Sequence, residues 1–300
     1  MTNAVDFSAL LEAFRQTLHT EDASRHTTSA YLADLQHFLS WSVQTMGACT
    51  IDEITPTDIR EYREFLQEQI PPAALATINR RLVALRRFFV WAKEYQLTES
   101  QPTMHIRNVE SIEQGPKSLD RKQWNRLLRC VEWARGKQGI RDRCLVLMLY
   151  HTGLRAGELA AIRLDDLTLS ERSGQVHVRR GKENKARRVP LNAEARDAIR
   201  DYLQIRPASE VQQLFVGQRG EPLSAHAIYD VVVKYARLAG LNGVSPHTLR
   251  YTFARALLTA GTPPTDVADL LGHNSLDATR IYTKASETDL AAVVARLENR

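Results

Sequence analysis

Apart from one short stretch, the apolar residues of this chain recur at helical rather than strand spacing, so its fold has to be built mainly from helices. The exception is Gln175-Val176-His177-Val178-Arg179, which alternates. Turn chemistry follows at Gly181-Lys182-Glu183-Asn184-Lys185, and a second extended run at Arg187-Arg188-Val189-Pro190-Leu191. That pattern predicts a small antiparallel hairpin with a basic tip. No repeat at a solenoid period is present.

In the first third, Ser24–Thr45 predicts a helix through Tyr31, Leu32, Leu35, Phe38, Leu39 and Trp41. Thr55-Pro56-Thr57-Asp58 opens a second helix, which carries Ile59, Tyr62, Phe65 and Leu66. Pro71-Pro72 breaks the chain, and a third helix runs through Ile78, Leu82, Leu85, Phe88, Phe89 and Trp91. Arg80, Arg81, Arg86 and Arg87 are interleaved with that last stripe, where they can follow a phosphate backbone or simply form a solvated helix face. Periodicity lapses near Gln101-Pro102-Thr103 and Gly115-Pro116. Residues 106–116 are therefore the expected linker between a helical N-terminal domain, 1–105, and a second domain, 117–300. That second domain starts a helix near Ser118-Leu119-Asp120 and has the apolar run Cys144–Tyr150 as a central helix.

Charge is divided unevenly. Residues 1–115 hold 10 Lys+Arg against 15 Asp+Glu, whereas the remainder holds 30 against 20. A basic C-terminal two-thirds suits a polyanionic partner, although a basic soluble protein without one has the same composition. No apolar run approaches the roughly 20 residues needed to cross a bilayer. Met1–Leu10 lacks a basic segment followed by an apolar one, so a cytoplasmic protein is expected. Cys49, Cys130 and Cys144 are odd in number and widely spaced, which reads as reduced thiols rather than a disulfide framework or zinc site.

Four spots can carry chemistry. In Thr152-Gly153-Leu154-Arg155-Ala156-Gly157-Glu158-Leu159, Gly153 can end the apolar helix in a left-handed cap. Arg155 then enters the next helix with Glu158 three residues on; the pair can be a phosphate-binding fork with its support, or an ordinary ion pair. Lys182 at the hairpin tip can reach into a groove and donate a proton, or be a surface lysine. In Ser245-Pro246-His247-Thr248-Leu249-Arg250, a cap and an N1 proline start a helix whose first turn presents His247 and Arg250 where anions are favoured. Finally, Gly272 ends the helix Asp266–Leu271 and exposes His273, and Ser275 can cap a short helix that presents Tyr282.

Jointly these spots offer two arginines, two histidines, a lysine and a tyrosine. Paired carboxylates, a metal-ligand cluster, a Walker loop and a GxGxxG are all missing, so no metal or cofactor is expected. The set is poor for hydrolysis by activated water and good for phosphoryl transfer to a side-chain oxygen. Charge developing on phosphate needs preorganised cations. A phenol with a pKa near 10 is a weak nucleophile and a fair leaving group, which suits a reversible covalent intermediate.

The chain resembles the tyrosine recombinase family, of the Xer and phage-integrase type, over most of its length. The run from Pro246-His247-Thr248-Leu249-Arg250 through Leu271-Gly272-His273 to Ile281-Tyr282-Thr283 is similar to the family's catalytic signature in order and spacing. Thr152-Gly153-Leu154-Arg155 with Glu158-Leu159, and Gly181-Lys182 through Arg188-Val189-Pro190-Leu191, resemble its two upstream boxes. Many members carry a histidine directly after the second arginine, where this chain has Tyr251. The resemblance implies a mainly α fold with a small antiparallel sheet in the catalytic domain, arranged as a two-domain DNA clamp with a SAM-like core-binding domain. It implies that Arg155 and Arg250 clamp the scissile phosphate, that His247 and His273 hydrogen-bond it and assist proton transfer, and that Lys182 protonates the departing 5′-hydroxyl. Tyr282 attacks to leave a 3′-phosphotyrosyl bond, and Glu158 supports the arginines.

Beyond the six catalytic positions, Arg80, Arg81, Arg86, Arg87, Lys185 and Arg187 are expected to touch DNA. The implied activity is site-specific recombination through a Holliday junction, by a tetramer on two duplexes, alone or with a related recombinase. Its purpose would be dimer or cointegrate resolution, or integration and excision of a mobile element. Leu290, Val293, Val294 and Leu297 give Ser286–Leu297 one apolar helical face, able to dock on a neighbouring protomer or on its own domain. Two rival readings are a DNA-binding accessory protein without chemistry and a topoisomerase. The filled catalytic set argues against the first, and the C-terminal helix and Xer-like boxes against the second.

Overall fold

The computed structural model describes residues 7–21, 25–47, 50–109, 118–179 and 186–272. Two compact units divide the chain, Met1–Glu113 and Gln114–Arg300.

Four helices make the described part of the first unit: α1 (Phe7–Thr20), α2 (Arg25–Met46), α3 (Pro56–Glu68) and α4 (Leu75–Glu94). Thr55 starts α3 by a reciprocal cap, in which its backbone N–H donates to Asp58 Oδ2 at 2.7 Å and its hydroxyl accepts from the Asp58 N–H. On α4, Ile78, Leu82, Leu85, Phe88, Phe89 and Trp91 are all buried. They meet Phe14 of α1, Leu35 and Phe38 of α2, and Tyr62 and Leu66 of α3 in one core. Phe88 meets Phe14 edge to face with ring centroids 5.5 Å apart, a geometry that suits the ring quadrupoles.

The second unit is built round α6 (Gly136–Thr152), whose residues Cys144–Leu149 are fully buried. Against it pack α5 (Arg121–Glu132), α8 (Ala193–Ile205) and α10 (Pro246–Thr259). The other α-helices among the described residues are α7 (Ala156–Ala161), α9 (Ala225–Leu238) and α11 (Pro264–Leu271). Asp120 begins α5 by accepting from Gln123 N–H at 2.8 Å. A charge that this core buries is partnered too: Asp142 accepts from Arg141 and, at 3.0 Å, from the Tyr235 hydroxyl. Burial pushes the Cys144 thiol well above its ordinary pKa, so this residue packs as a hydrophobe.

The sheet has three antiparallel strands in sequential order: β1 (Leu167–Leu169), β2 (Gly174–Val178) and β3 (Arg187–Pro190). β2 and β3 form the expected hairpin, paired so that Val176 faces Val189 and Val178 faces Arg187. β1 is an addition to the two-strand expectation. Leu167-Thr168-Leu169 is too short to show a period and becomes a strand only by pairing with β2. Among the described residues no helix is long and apolar enough to cross a membrane, and no three His, Cys, Asp or Glu side chains could hold a metal ion.

Candidate active site

Two helix ends build the floor of the site. α6 ends at Gly153 and α11 at Gly272, both left-handed, with φ of 62° and 65°. At either place a side chain would be strained by the left-handed backbone and would crowd its neighbours. A Cβ on Gly153 would lie 2.5 Å from the Phe253 ring, and one on Gly272 would lie 2.8 Å from Arg187 Nη1. Helix C-termini expose carbonyls that carry partial negative charge. Here two guanidinium groups take them up. Arg250, on α10, donates to the Gly153 carbonyl at 2.6 Å and to the Leu271 carbonyl at 2.8 Å. Arg187, on β3, donates from Nε to the Leu270 carbonyl at 2.8 Å.

Glu158 ties these groups to Arg155. Arg155 caps α7, and Glu158 folds back so that Oε2 accepts the Arg155 backbone N–H at 2.9 Å. Its Oε1 accepts from Arg155 Nη1 at 2.9 Å. Arg187 adds a two-pronged pair, Nη1 to Oε1 at 2.9 Å and Nη2 to Oε2 at 2.8 Å. Arg250 Nη1 stands 3.9 Å from Oε2. The Glu158 side chain is only 5% exposed. Burial alone would push its pKa up, but the hydrogen bonds from Arg187 and Arg155 outweigh that and hold it below the ordinary carboxylate value.

Three arginines thus meet one carboxylate, leaving a surplus of two positive charges. The arginines differ in access. Arg250 is 3% exposed and Arg187 9%, whereas the Arg155 side chain is 27% exposed and, among the described residues, engages a partner only through Nη1. His247, the second residue of α10, is open to solvent. Its partial packing and the positive Arg250 and Arg155 lower its pKa, so the ring is neutral near pH 7 and can accept a proton. The α10 cap is made by Thr248, whose hydroxyl accepts the Ser245 backbone N–H at 3.1 Å.

Arg155, Glu158, His247 and Arg250 therefore come together, and Arg187 joins them. From sequence, Arg187 is expected among the DNA contacts. The structure instead turns its guanidinium inward, against Glu158 and the α11 end. The signal was present in the strand period: Arg187 shares a sheet face with Val189, which is buried, and pairs with buried Val178. Lys182, Lys185, His273, Tyr282 and the C-terminal helix lie outside the described residues. In the first unit, Arg80 pairs with Asp34 and Arg81 Nε stands 3.7 Å from it. Arg87 pairs with Glu21 at 2.5 Å, and Arg86 donates to the Ile106 carbonyl at 2.9 Å.

A cluster of three arginines round one carboxylate, with a neutral histidine beside it, has the charge and donors that a tetrahedral anion requires. Comparison with known proteins gives that anion a context. The phage integrase family model matches residues 117–289, and the N-terminal SAM-like domain of phage integrases matches residues 11–96. The chain is 31% identical over 293 residues to tyrosine recombinase XerD of Ralstonia nicotianae, covering 95% of this chain and 92% of that protein. It is 34% identical over 286 residues to tyrosine recombinase XerC of Neisseria meningitidis, covering 93% and 91%. A solved XerH site-specific recombinase bound to palindromic difH substrate has the same fold, with a TM-score of 0.76 and 23% identity over 96% of this chain and 84% of that one. So does the Tn1549 transposon integrase in complex with circular intermediate DNA, with a TM-score of 0.75 and 19% identity over 95% and 98%. The protein is thus a DNA-acting tyrosine site-specific recombinase. Within that class, the chain belongs to the phage integrase family.

Proposed function

We propose that the recess at Arg155, Glu158, His247 and Arg250 binds the scissile phosphate of a DNA strand, and that Tyr282 attacks it. The observation that carries this reading is the surplus of two positive charges round a single buried carboxylate, with Arg155 left partly open to an incoming anion. The phenolic oxygen of Tyr282 forms a bond to phosphorus as the bond to the 5′-oxygen breaks. The phenolic proton passes to His247 or His273, and the 5′-oxygen takes a proton from Lys182. Arg155 and Arg250 neutralise the charge that builds on the non-bridging oxygens. The 3′-phosphotyrosyl ester keeps the energy of the original linkage, so a 5′-hydroxyl from the partner duplex can reverse the step without a cofactor. Residues 1–105 act as the core-binding domain and 117–300 as the catalytic domain, joined by a linker at 106–116. Four cytoplasmic protomers on two duplexes, alone or with a related recombinase, pass through a Holliday junction. The biological task this reading implies is resolution of DNA dimers or cointegrates, or integration and excision of a mobile element.

Covalent trapping tests this reading. Wild-type protein and a Tyr282→Phe variant are mixed with nicked genomic fragments and denatured, and the attached DNA is sequenced. Tyr282-dependent adducts at one recurring site are expected. Sites confined to the ends of a mobile element would assign the task to integration and excision. Specific binding without any adduct would make this a non-catalytic DNA-binding protein, and relaxation of supercoils without strand exchange a topoisomerase.

A further inference from the structure

Resting on the reading above, we propose that Arg187 is a positioning residue for strand cleavage, holding Arg155 through Glu158 and the end of α11 through the Leu270 carbonyl.

Arg187 commits its guanidinium within the protein. Its side chain is 9% exposed, and Nε and both terminal nitrogens are engaged inside the protein. Both terminal nitrogens of Arg187 are spent on a carboxylate that offsets its charge, whereas those of Arg250 meet neutral carbonyls and leave its charge for the phosphate. Arg187 is a good brace, because its planar fork fixes the orientation of whatever it binds. One end of the fork grips both oxygens of Glu158, which in turn holds Arg155 by a side-chain and a backbone hydrogen bond. The other end grips α11 one residue before the Leu271 carbonyl that Arg250 holds. Gly272 lets the guanidinium approach; a Cβ there would lie 2.8 Å from Nη1. Arg187 is thus a single side chain from the hairpin that meets both the α7 and the α11 parts of the site.

Arg187 also governs the charge of Glu158. Its hydrogen bonds are the largest influence lowering the Glu158 pKa against burial. Without them the carboxyl takes up a proton nearer neutrality, even with Arg155 and Arg250 still facing it, and a protonated Glu158 holds Arg155 less firmly.

The test compares wild type, Arg187→Gln, Arg187→Lys and Arg188→Gln in single-turnover cleavage of a nicked site at saturating DNA, across pH 5–8. Arg188 is the exposed neighbour on the outer sheet face. Arg187→Gln is expected to lose on the order of 10²-fold in cleavage rate, as for misplaced catalytic groups and lost supporting contacts. Its acid limb should move toward neutral pH, while the salt dependence of DNA affinity stays as in wild type. Arg187→Lys keeps the charge but not the fork, so it should stay slow. Should Arg187→Gln not fold, Arg187→Lys supplies the same readouts, with the same acid-limb shift expected. Arg188→Gln should cleave at the wild-type rate.

A wild-type rate and pH profile for Arg187→Gln or Arg187→Lys would overturn the proposal. So would a normal rate with weakened binding and a salt slope reduced by about one, the mark of a direct phosphate contact. Failure of wild type to form a Tyr282-dependent adduct would instead sink the recombinase-site reading itself, independently of the Arg187 result.

Discussion

Each unit of the chain buries a carboxylate among arginines, and the two behave in opposite ways. Asp34, 3% exposed on α2, accepts from Arg80 and has Arg81 at 3.7 Å. Burial dominates there, and its pKa is raised despite both charges. Glu158, 5% exposed, receives two prongs from Arg187 and two bonds from Arg155, and its pKa is lowered. Proximity of positive charge is similar; the number and geometry of hydrogen bonds are not. A buried carboxylate is stable as an anion only when its lone pairs are filled by donors fixed in place. Signs follow from that. Glu158 contributes stability above the unfolded carboxyl pKa, and the contribution is lost as pH falls through the lowered folded value. Asp34 contributes below the unfolded value, and its contribution is lost as pH rises through the raised one.

The largest effect expected from this contrast lies at Arg250. Replacing it by alanine leaves the Gly153 and Leu271 carbonyls without that donor and weakens the pairing of Glu158, all in a buried place. Urea denaturation should show a loss of about 3–5 kcal/mol, with covalent adducts undetectable. Next comes Glu158→Gln, which keeps the shape but halves the acceptor capacity facing Arg155 and Arg187. A loss of about 2–3 kcal/mol at pH 7 is expected, shrinking as pH falls below about 4.5. An equal loss at pH 3.5 and pH 7 would show that Glu158 is held by packing and not by its charge.

Most helices and the order of the boxes are legible in the sequence, because caps and periods are local. Asp120 before α5, Thr55 before α3 and the glycine ends of α6 and α11 each act within a few residues. Every apolar residue read on α4 is buried, and Ala84 and Ala92 are buried beside them. The partners of the arginines were not legible, because they are distant in sequence: Arg80 with Asp34, Arg87 with Glu21, Arg187 with Glu158. Nor was β1, whose three residues need β2 to become a strand. Arg187 was half legible. The run it starts reads as the second strand of the hairpin, and its parity with Val189 places it on the inner face.

His247 gives a smaller, pH-dependent effect. Its lowered pKa comes from partial packing and from the positive arginines, so a bound phosphate should raise it again. DNA binding then takes up a proton, and affinity rises as pH falls from 7.5 to 5.5, by no more than about tenfold per pH unit for one group. His247→Asn should flatten that rise, measured by fluorescence anisotropy at constant salt. An unchanged rise in the variant would assign the proton to another group and separate His247 from the arginine recess.

The smallest effect, and the sharpest on the comparison itself, is expected at Asp34. In Asp34→Asn a buried charge that burial disfavours is replaced by a neutral amide whose oxygen can still accept from Arg80. Stability at pH 7 should change by less than about 1 kcal/mol, and in the stabilising direction, opposite to Glu158→Gln. The gain should fade as pH drops into the carboxylate range, where wild-type Asp34 takes up its own proton. A loss of 3 kcal/mol at pH 7 would mean that Arg80 and Arg81 hold Asp34 as firmly as Arg155 and Arg187 hold Glu158. The two clusters would then be equivalent anchors, and hydrogen-bond geometry would no longer explain why their pKa values move apart.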